Sequence, residues 1–285
     1  MYLRRAATAR GPHPLSRAGL SSLIAVETDS VNSKIAHVRL SRHEGKNAFS
    51  RQMVGEFVAM VAGLKLSVAE KRTNVIVLSS SVPKVFCAGA DLKERAGMPE
   101  DQVAGFVDSL REAFGQLEEL GVPTIAAIEG VALGGGLELA LCCDLRVVGK
   151  DAVLGLPETA LAIIPGAGGT QRLPRLIGAC KAKELIFLAK RLSADEAAKY
   201  GVVNEVVAAG QAVPRALELA HIMAAHGPLA LRLAKRAVDA GLQAPTLAQG
   251  LAIEKSCYAQ VVPTADRREG LRAFVEKRKP IYLCE

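Results

Sequence analysis

Short apolar runs alternate with longer helical segments through most of the chain, and this alternation restricts the fold more than any other feature. Two stretches, near residues 50–66 and at Asp101–Leu120, carry apolar side chains at helical spacing. The strand-like runs are shorter and rich in Val, Ile and Ala, and they lie at Ile35–Leu40, Asn74–Ser80, Thr124–Gly130 and Asp144–Gly149. Alternation of this kind predicts an α/β fold.

The pattern changes from about Ala212 onward, where strand signals stop. Two long segments, "AVPRALELAHIMAAHGPLALRLAKRAVDAG" and "TLAQGLAIEKSCYAQ", are helical, and a last helix begins at a capping residue, Thr264, in a segment that ends before Pro280. We therefore predict two structural parts after the N-terminal segment, a core at residues 27–211 and a helical region at residues 212–285.

Residues 1–26 have the composition of a targeting peptide. They contain four arginines and several serines, with no Asp, Glu or Lys. Removing these four arginines from the 36 basic residues leaves 32 basic against 29 acidic residues, so the net charge falls from +7 to +3. We expect a transit peptide and a mitochondrial matrix location, with a plastid as the alternative. A disordered tail is the other interpretation of this segment.

Composition excludes several classes of site. Aromatic residues make up only 4% of the chain and tryptophan is absent, which disfavours base-stacking surfaces for single-stranded nucleic acid. The six cysteines show no C-x-x-C spacing, so we expect reduced thiols in the core. The five histidines form no ligand set, so no metal site is expected, and we predict no membrane span.

One stretch, "VALGGGLELALCCDLRV", contains a carboxylate that its surroundings do not explain. Glu138 lies in an apolar helical segment directly after three glycines. Glycines let a ligand approach the backbone closely, and the free N–H groups at a helix start favour developing negative charge. Glu138 follows Gly135 by about one helical turn, so its side chain can lie close to whatever Gly135 binds.

Two further segments complete a candidate site. "VFCAGADLKE" follows a strand and enters a helix, and "GLPETALAIIPGAGGTQR" brings a second carboxylate, Glu158, after a proline. Two glycine-rich segments that converge can each donate one N–H to a carbonyl oxygen and so form an oxyanion hole for an enolate. Taken singly, each segment is better explained as a tight turn, and each glutamate as one half of a structural ion pair. "PGAGGTQR" lacks the full G-x-G-x-x-G and G-K-[ST] patterns, so we interpret it as a turn or a wall of the site.

Together these motifs resemble the enoyl-CoA hydratase/isomerase, or crotonase, superfamily. "NAF" at Asn47–Phe49, "CAGADLKE", "GGGLELA", "PET" and "IIPGAGGTQRLPR" stand in that family's order, and the likeness continues to "REGLRAFVEKRKP". "AKELIF" and "CYAQVVPTADRREGL" are most similar to mitochondrial hydratases of the methylglutaconyl-CoA hydratase type. The resemblance implies a spiral of ββα units with a helical C-terminal trimerisation region, assembled as a trimer or a dimer of trimers.

The resemblance also implies roles for particular residues. Glu138 and Glu158 match the family's catalytic glutamates, and the N–H groups of Ala90 and Gly135 match its oxyanion hole. Positions that match the family's coenzyme A contacts are Ala88, Ala90, Asp91, Leu92, Lys93, Gly134, Gly135, Phe274 and Lys277. The last two often act from a neighbouring subunit in that family.

The implied activity is addition of water across the 2,3 double bond of an enoyl-CoA, with no cofactor beyond the coenzyme A of the substrate. The substrate is 3-methylglutaconyl-CoA of leucine breakdown or a short-chain enoyl-CoA of fatty-acid oxidation. The alternatives are a double-bond isomerase and a crotonase-fold protein with an RNA-binding or scaffold role. One type of relative binds AU-rich RNA through a helix bearing a row of lysines. The matching positions here are Arg51, Gly55 and Ala59, so we expect specific RNA binding to be weak or absent.

Overall fold

The computed structural model describes residues 22–284, and most of the predicted leader lies outside them. The first strand, β1 (Ile24–Thr28), pairs antiparallel with β2 (Ile35–Leu40). Ile24 is buried in the core. Residues 24–26 belong to the predicted leader, yet they pair with β2 as part of this edge strand.

Ten strands form two sheets. The remaining strands are β3 (Val75–Ser80), β4 (Val85–Cys87), β5 (Thr124–Ile128), β6 (Val131–Leu133), β7 (Leu145–Gly149), β8 (Val153–Gly155), β9 (Arg191–Ser193) and β10 (Glu205–Val207). The first sheet has the order β1-β2-β3-β5-β7-β10, and the second has the order β4-β6-β8-β9. Pairing is parallel except at β1–β2 and β8–β9.

The strand order is that of a spiral. The successive pairs β3–β4, β5–β6 and β7–β8 each give one strand to the first sheet and one to the second. Register follows the same repeat, because Val85, Val131 and Val153 lie beside one another across the second sheet. This arrangement confirms the predicted α/β class with parallel strands.

The helices pack around these sheets. They are α1 (Arg51–Ala69), α2 (Leu92–Ala96), α3 (Glu100–Glu118), α4 (Gly135–Leu141), α5 (Gly169–Ile177), α6 (Ala179–Phe187), α7 (Ala194–Tyr200), α8 (Ala212–Ala224), α9 (Pro228–Gln243), α10 (Leu247–Val261) and α11 (Ala265–Val275), with a short 3-10 turn at Glu158–Leu161. Ser50 caps α1 and Thr264 caps α11 through their side chains, as the sequence predicts for Thr264.

Helix α1 is, among the described residues, the one helix long and apolar enough to cross a membrane. Its apolar residues Met53, Phe57 and Leu64 are fully buried, and Phe57 packs edge-on against Phe49 and Phe114. The apolar content of α1 is thus explained by its place in the protein core.

The first sheet is buried on both faces. Ile76 and Leu78 point into the main core, whereas Val75 and Val77 pack against α8. Helix α8 meets the sheet through a stripe of small residues, Ala212, Ala216 and Ala220. No strand follows Val207 in residues 208–284, in agreement with the predicted helical C-terminal region.

Two carboxylates attach the C-terminal helices to the core. Glu129 accepts hydrogen bonds from the N–H groups of Gly210 and Ala212 and so caps α8. Asp144 accepts the N–H of Thr124 at 2.7 Å and pairs with the buried Lys235 of α9 at 2.8 Å. Glu129 follows β5 and Asp144 precedes β7, so the helical region is anchored near both ends of the strands of the first sheet.

Candidate active site

The three candidate segments follow three neighbouring strands. Residues 88–91 come directly after β4, Gly134–Gly136 after β6, and the segment that leads to Glu158 after β8. These strands are parallel and adjacent, so their carboxyl ends meet at one edge of the second sheet. The topology thus brings together residues that are far apart in the sequence.

The segment after β4 is held in an open conformation by its neighbours. Phe49 donates its N–H to the Gly89 carbonyl at 2.7 Å and accepts the Asp91 N–H at 3.0 Å. Ala90 lies between Gly89 and Asp91, and its N–H has no acceptor in residues 22–284. The buried Asn47 amide donates to the Phe86 carbonyl at 2.9 Å and so supports the strand before the segment. The "NAF" motif therefore holds the loop that presents Ala90.

The glycines after β6 allow α4 to begin against that loop. A Cβ on Gly136 would lie 2.1 Å from the Cys87 carbonyl oxygen, so only glycine fits there. A Cβ on Gly135 would lie 3.6 Å from the Ala90 nitrogen, which shows how closely the two segments approach. The Gly135 N–H is at the helix start and donates to no acceptor of the described chain. The two segments that bear these N–H groups thus lie against each other, as an oxyanion hole requires.

Glu138 is only 2% exposed, and its hydrogen-bond partners explain how a carboxylate is accommodated there. Its Oε1 accepts the N–H of Ala167 at 2.8 Å and that of Gly169 at 2.7 Å. Burial raises the pKa of Glu138, while these two N–H groups and the charge of Arg172 oppose the rise. Because N–H donors stabilise the ionised form, the arrangement suits a general base.

Glu158 is held much more loosely. Its Oε2 is buried and has no hydrogen-bond partner among residues 22–284, and its Oε1 lies against Gly134. Burial raises the pKa of Glu158 to about 7, and the negative charge of Glu138 adds to this rise. A carboxyl group with this pKa carries a proton in a large fraction of molecules near neutral pH and can donate it.

Both glutamates face one cavity of about 780 Å³. Ala88, Ala90, Leu92, Gly134 and Gly135 line it, as predicted for positions along the substrate. Helix α3 closes one side with apolar residues such as Phe106 and Leu110. Basic residues also line the cavity, namely Arg95, Arg111 and Arg191. A cavity of this size suits a thioester acyl chain.

Four predicted coenzyme A positions do not line the cavity. Asp91 caps α2 and pairs with Arg42 at 2.6 Å, and Lys93 is on the exposed side of α2. Burial acts to raise the pKa of Asp91, but the hydrogen bond and charge of Arg42, together with the N–H groups of Glu94 and Lys93, bring the pKa below its ordinary value. Phe274 and Lys277 are exposed at the end of α11 and do not reach the cavity of their own chain.

Residue patterns did not indicate several groups of the site. The N–H donors to Glu138 belong to Ala167 and Gly169, which are backbone groups without a residue-type signal. Arg172 forms a bidentate ion pair with Glu118, fifty-four residues earlier, so no local spacing reveals it. The interpretation of "PGAGGTQR" as a wall of the site fits its place, since Gly166 and Ala167 line the cavity. Within the described residues no cluster of three or more His, Cys, Asp or Glu could hold a metal ion.

Comparisons with known proteins agree with this geometry. A sequence profile described as enoyl-CoA hydratase/isomerase matches residues 30–283. The chain is 50% identical to "Probable enoyl-CoA hydratase 2, mitochondrial" of Arabidopsis thaliana, over 88% of this chain and 82% of that protein. It is 47% identical to the human "Methylglutaconyl-CoA hydratase, mitochondrial", over 97% of this chain and 83% of that protein.

The crystal structure of a related protein has the same fold. The enoyl-CoA hydratase of Bacillus anthracis superposes with a TM-score of 0.88 at 47% identity, and the match covers 93% of this chain and 100% of that one. This similarity confirms the predicted crotonase fold. The chain therefore belongs to the enoyl-CoA hydratase/isomerase family and is an enzyme of that family.

Proposed function

We propose that the protein is a hydro-lyase that adds water across the 2,3 double bond of an enoyl-CoA. The observation that carries this proposal is the pair of carboxylates, Glu138 and Glu158, at one cavity with two unpaired N–H groups. Addition of water needs one group to remove a proton from water and a second to supply a proton to carbon. Isomerisation needs only one such group, so the pair favours hydration.

The geometry supports a separate role for each glutamate and for the two N–H groups. The thioester oxygen accepts hydrogen bonds from the N–H groups of Ala90 and Gly135, which stabilise the enolate that forms. Ionised Glu138 takes a proton from water as the water oxygen bonds to C3 of the substrate. Protonated Glu158 then gives its proton to C2, so the elements of water are added and one proton has moved from Glu158 to Glu138. Proton exchange with solvent restores the starting state.

The supporting contacts differ for the two glutamates. Glu138 accepts two short backbone hydrogen bonds, which favour its ionised form. Glu158 keeps an unpaired buried oxygen and a pKa of about 7, which favour a protonated form. This assignment makes no use of a metal or a redox group, and coenzyme A enters only as part of the substrate.

The direct test is an assay with crotonyl-CoA in water. Loss of the enoyl absorbance supports hydration, whereas conversion of a 3-enoyl to a 2-enoyl ester without loss of unsaturation would support an isomerase. Glu138→Gln and Glu158→Gln should each lower kcat by roughly 10²–10⁴-fold while binding of the thioester is kept. Glu112→Gln, an exposed glutamate of α3, is the control. Near-normal kcat in either active-site variant would remove that residue from the mechanism.

For the acyl group we propose 3-methylglutaconyl-CoA, with short-chain enoyl-CoA as the second candidate. The human relative named methylglutaconyl-CoA hydratase supports this choice, and so do the basic residues on the cavity wall. That substrate carries a distal carboxylate, and Arg111 lines the cavity together with Glu138, with its Nε donating to the Gly166 carbonyl at 3.0 Å. Values of kcat/KM for methylglutaconyl-, short-chain and medium-chain esters distinguish the two candidates. Arg111→Gln should lower kcat/KM more for the charged ester than for the uncharged esters.

We also propose a mitochondrial matrix location and a homo-oligomer. The mitochondrial relatives support the first. For the second, the C-terminal helices expose large apolar side chains such as Leu242, Leu247 and Phe274, each at least 80% exposed. Members of this family act on acyl-CoA thioesters and typically oligomerise, and a trimer or a dimer of trimers would cover these surfaces.

A further inference from the structure

We infer that Arg172, held by Glu118, is a positioning residue that keeps Glu138 ionised and correctly aimed during hydration. The inference rests on the proposed function, because it deepens the role of the proposed base. Neither Arg172 nor Glu118 lines the cavity, so both act through the segment that lies between them and Glu138.

The contacts form a continuous connection. The Arg172 Nε and Nη2 bind both carboxylate oxygens of Glu118, with the shortest contact at 2.6 Å. Its Nη1 donates to the Ala167 carbonyl at 3.0 Å. The N–H of the same residue, Ala167, donates to Glu138. Arg172 therefore fixes the carbonyl of the residue whose N–H binds the base.

The backbone conformation shows that the guanidinium is packed into this turn. Gly168 has a φ of +110°, a region that favours glycine. A Cβ at Gly168 would lie 2.0 Å from the Arg172 Nη1. The turn 167–169 is therefore built around the arginine, and the Glu118 pair fixes the arginine to α3 because a bidentate pair has a defined geometry.

The same helix holds the turn at a second point. Arg111 of α3 donates to the Gly166 carbonyl, next to Ala167. Charged groups near Glu138 therefore come from three elements: Arg111 and Glu118 from α3, Arg172 from α5, and Glu158 from the 3-10 turn. On its own helix, Cys142 donates its Sγ to the Glu138 carbonyl, and burial raises the pKa of that thiol so that it is neutral.

Two substitutions that break the same ion pair give opposite electrostatic changes. Arg172→Gln removes a positive charge near Glu138, so the pKa of Glu138 should rise and the acid limb of kcat/KM should move to higher pH. Glu118→Gln removes a negative charge and leaves Arg172 charged, so the acid limb should stay or move to lower pH. We expect the acid limb of Arg172→Gln to lie roughly half a pH unit or more above that of Glu118→Gln.

The magnitude of the rate loss and the controls complete the test. Arg172→Gln should lower kcat by about 10²-fold with little change in KM, because misplacement of a reacting group costs about that factor. Arg172→Lys should restore the acid limb, since it keeps the charge. Arg175→Gln makes the same charge change on an exposed arginine of α5, which bonds only within its own helix, and should leave the profile unchanged.

The outcomes separate this inference from the proposed function. If the wild-type protein hydrates no enoyl-CoA, the proposed function is contradicted. The pH dependence of thermal unfolding in the same variants then tests whether Arg172 acts on the pKa of Glu138. A steeper loss of stability with rising pH in Arg172→Gln than in Glu118→Gln would support it. The inference would be overturned if the acid limb of kcat/KM, or the pH dependence of Tm, shifted in the same direction in both variants. If Arg172→Gln does not fold, Arg172→Lys and Glu118→Gln still decide.

Discussion

Glu138 and Glu158 face one cavity, yet their immediate surroundings give them different proton affinities. Glu138 has two N–H donors on one oxygen, whereas a buried oxygen of Glu158 has none among the described residues. An unpaired buried carboxylate costs stability when it is ionised. The folded protein therefore carries a free-energy cost at Glu158 that folding does not require and that the proposed catalytic role explains.

This cost predicts a pH-dependent gain of stability in Glu158→Gln. The folded pKa of about 7 lies above the unfolded value of 4.5, so the wild type loses stability as pH rises from about 4.5 through 7. The amide does not ionise, so the variant avoids this loss. Because Glu158 is partly exposed, we expect a gain of roughly 1–2 kcal/mol at pH 8 relative to pH 5.

Thermal unfolding of the wild type and of Glu158→Gln at pH 5 and pH 8 measures this effect. The exposed Glu112→Gln serves as control and should follow the wild type at both values. An equal difference in Tm at the two pH values would show that Glu158 does not titrate as described.

At the scale of single elements, the start of α4 is fixed by its contact with the end of β4. Gly136 touches the Cys87 carbonyl so closely that no side chain fits, and this contact sets the distance between the two unpaired N–H groups. The geometry of the proposed oxyanion hole therefore depends on helix–strand packing outside the cavity.

Gly136→Ala should separate α4 from β4. We expect a loss of about 1–3 kcal/mol from overpacking and a fall in kcat of about 10²-fold from misplacement of the Gly135 N–H. Gly55→Ala is the matched control, because Gly55 is an exposed helical glycine of α1 with open space around its Cα. It should stabilise the protein by about 0.5–1 kcal/mol and leave kcat unchanged. A Gly136→Ala enzyme with normal kcat would contradict this account.

The longer elements could be predicted from the sequence, whereas the short ones could not. The pattern predicts β2 at its observed bounds and α3 within one or two residues, because each has several apolar positions at a fixed period. Strands β6 and β8 have three residues each, too few for a period. Periodicity also does not show which backbone groups contact the site residues. Glu138 and Glu158 are predicted by their match to the family's motifs, whereas the Ala167 and Gly169 donors depend on tertiary contacts.

At the scale of the whole molecule, the C-terminal helices place apolar side chains outward rather than into the core. Phe274 and Val275 are 83% and 79% exposed, and Lys277 follows them in a left-handed conformation. Since none of these residues reaches the cavity of its own chain, a contribution to substrate binding requires a second subunit.

Light scattering should therefore find a trimer or hexamer. Lys277→Ala should raise KM for the CoA ester more than it lowers kcat, because a contact remote from the reacting bond is made equally in the ground and transition states. Lys183→Ala, at an exposed lysine of α6, separates general charge effects from this specific contact. A stable, active monomer would contradict the proposed assembly.

Specific RNA binding should be weak. Arg51, Gly55 and Ala59 all lie on the exposed side of α1, as the sequence predicts for the positions that carry lysines in the RNA-binding relative. The single cation among them, Arg51, already contacts Glu94 and Gln102. Little counterion release is available from such a face. A salt-dependent titration of the leaderless protein with AU-rich and control RNA measures this. Submicromolar, sequence-selective binding at physiological salt would show that another surface binds RNA.

Ala90, Gly135 and Glu158 lie on three separate turns of the spiral, and Glu138 shares α4 with Gly135. Each of these turns gives one strand to the first sheet. This separation makes the scaffold suitable for engineering. The segment after β8 can be exchanged to replace Glu158 while β4 and β6 continue to hold the thioester oxygen. New reactions of a bound acyl enolate are then accessible by redesign of one loop at a time.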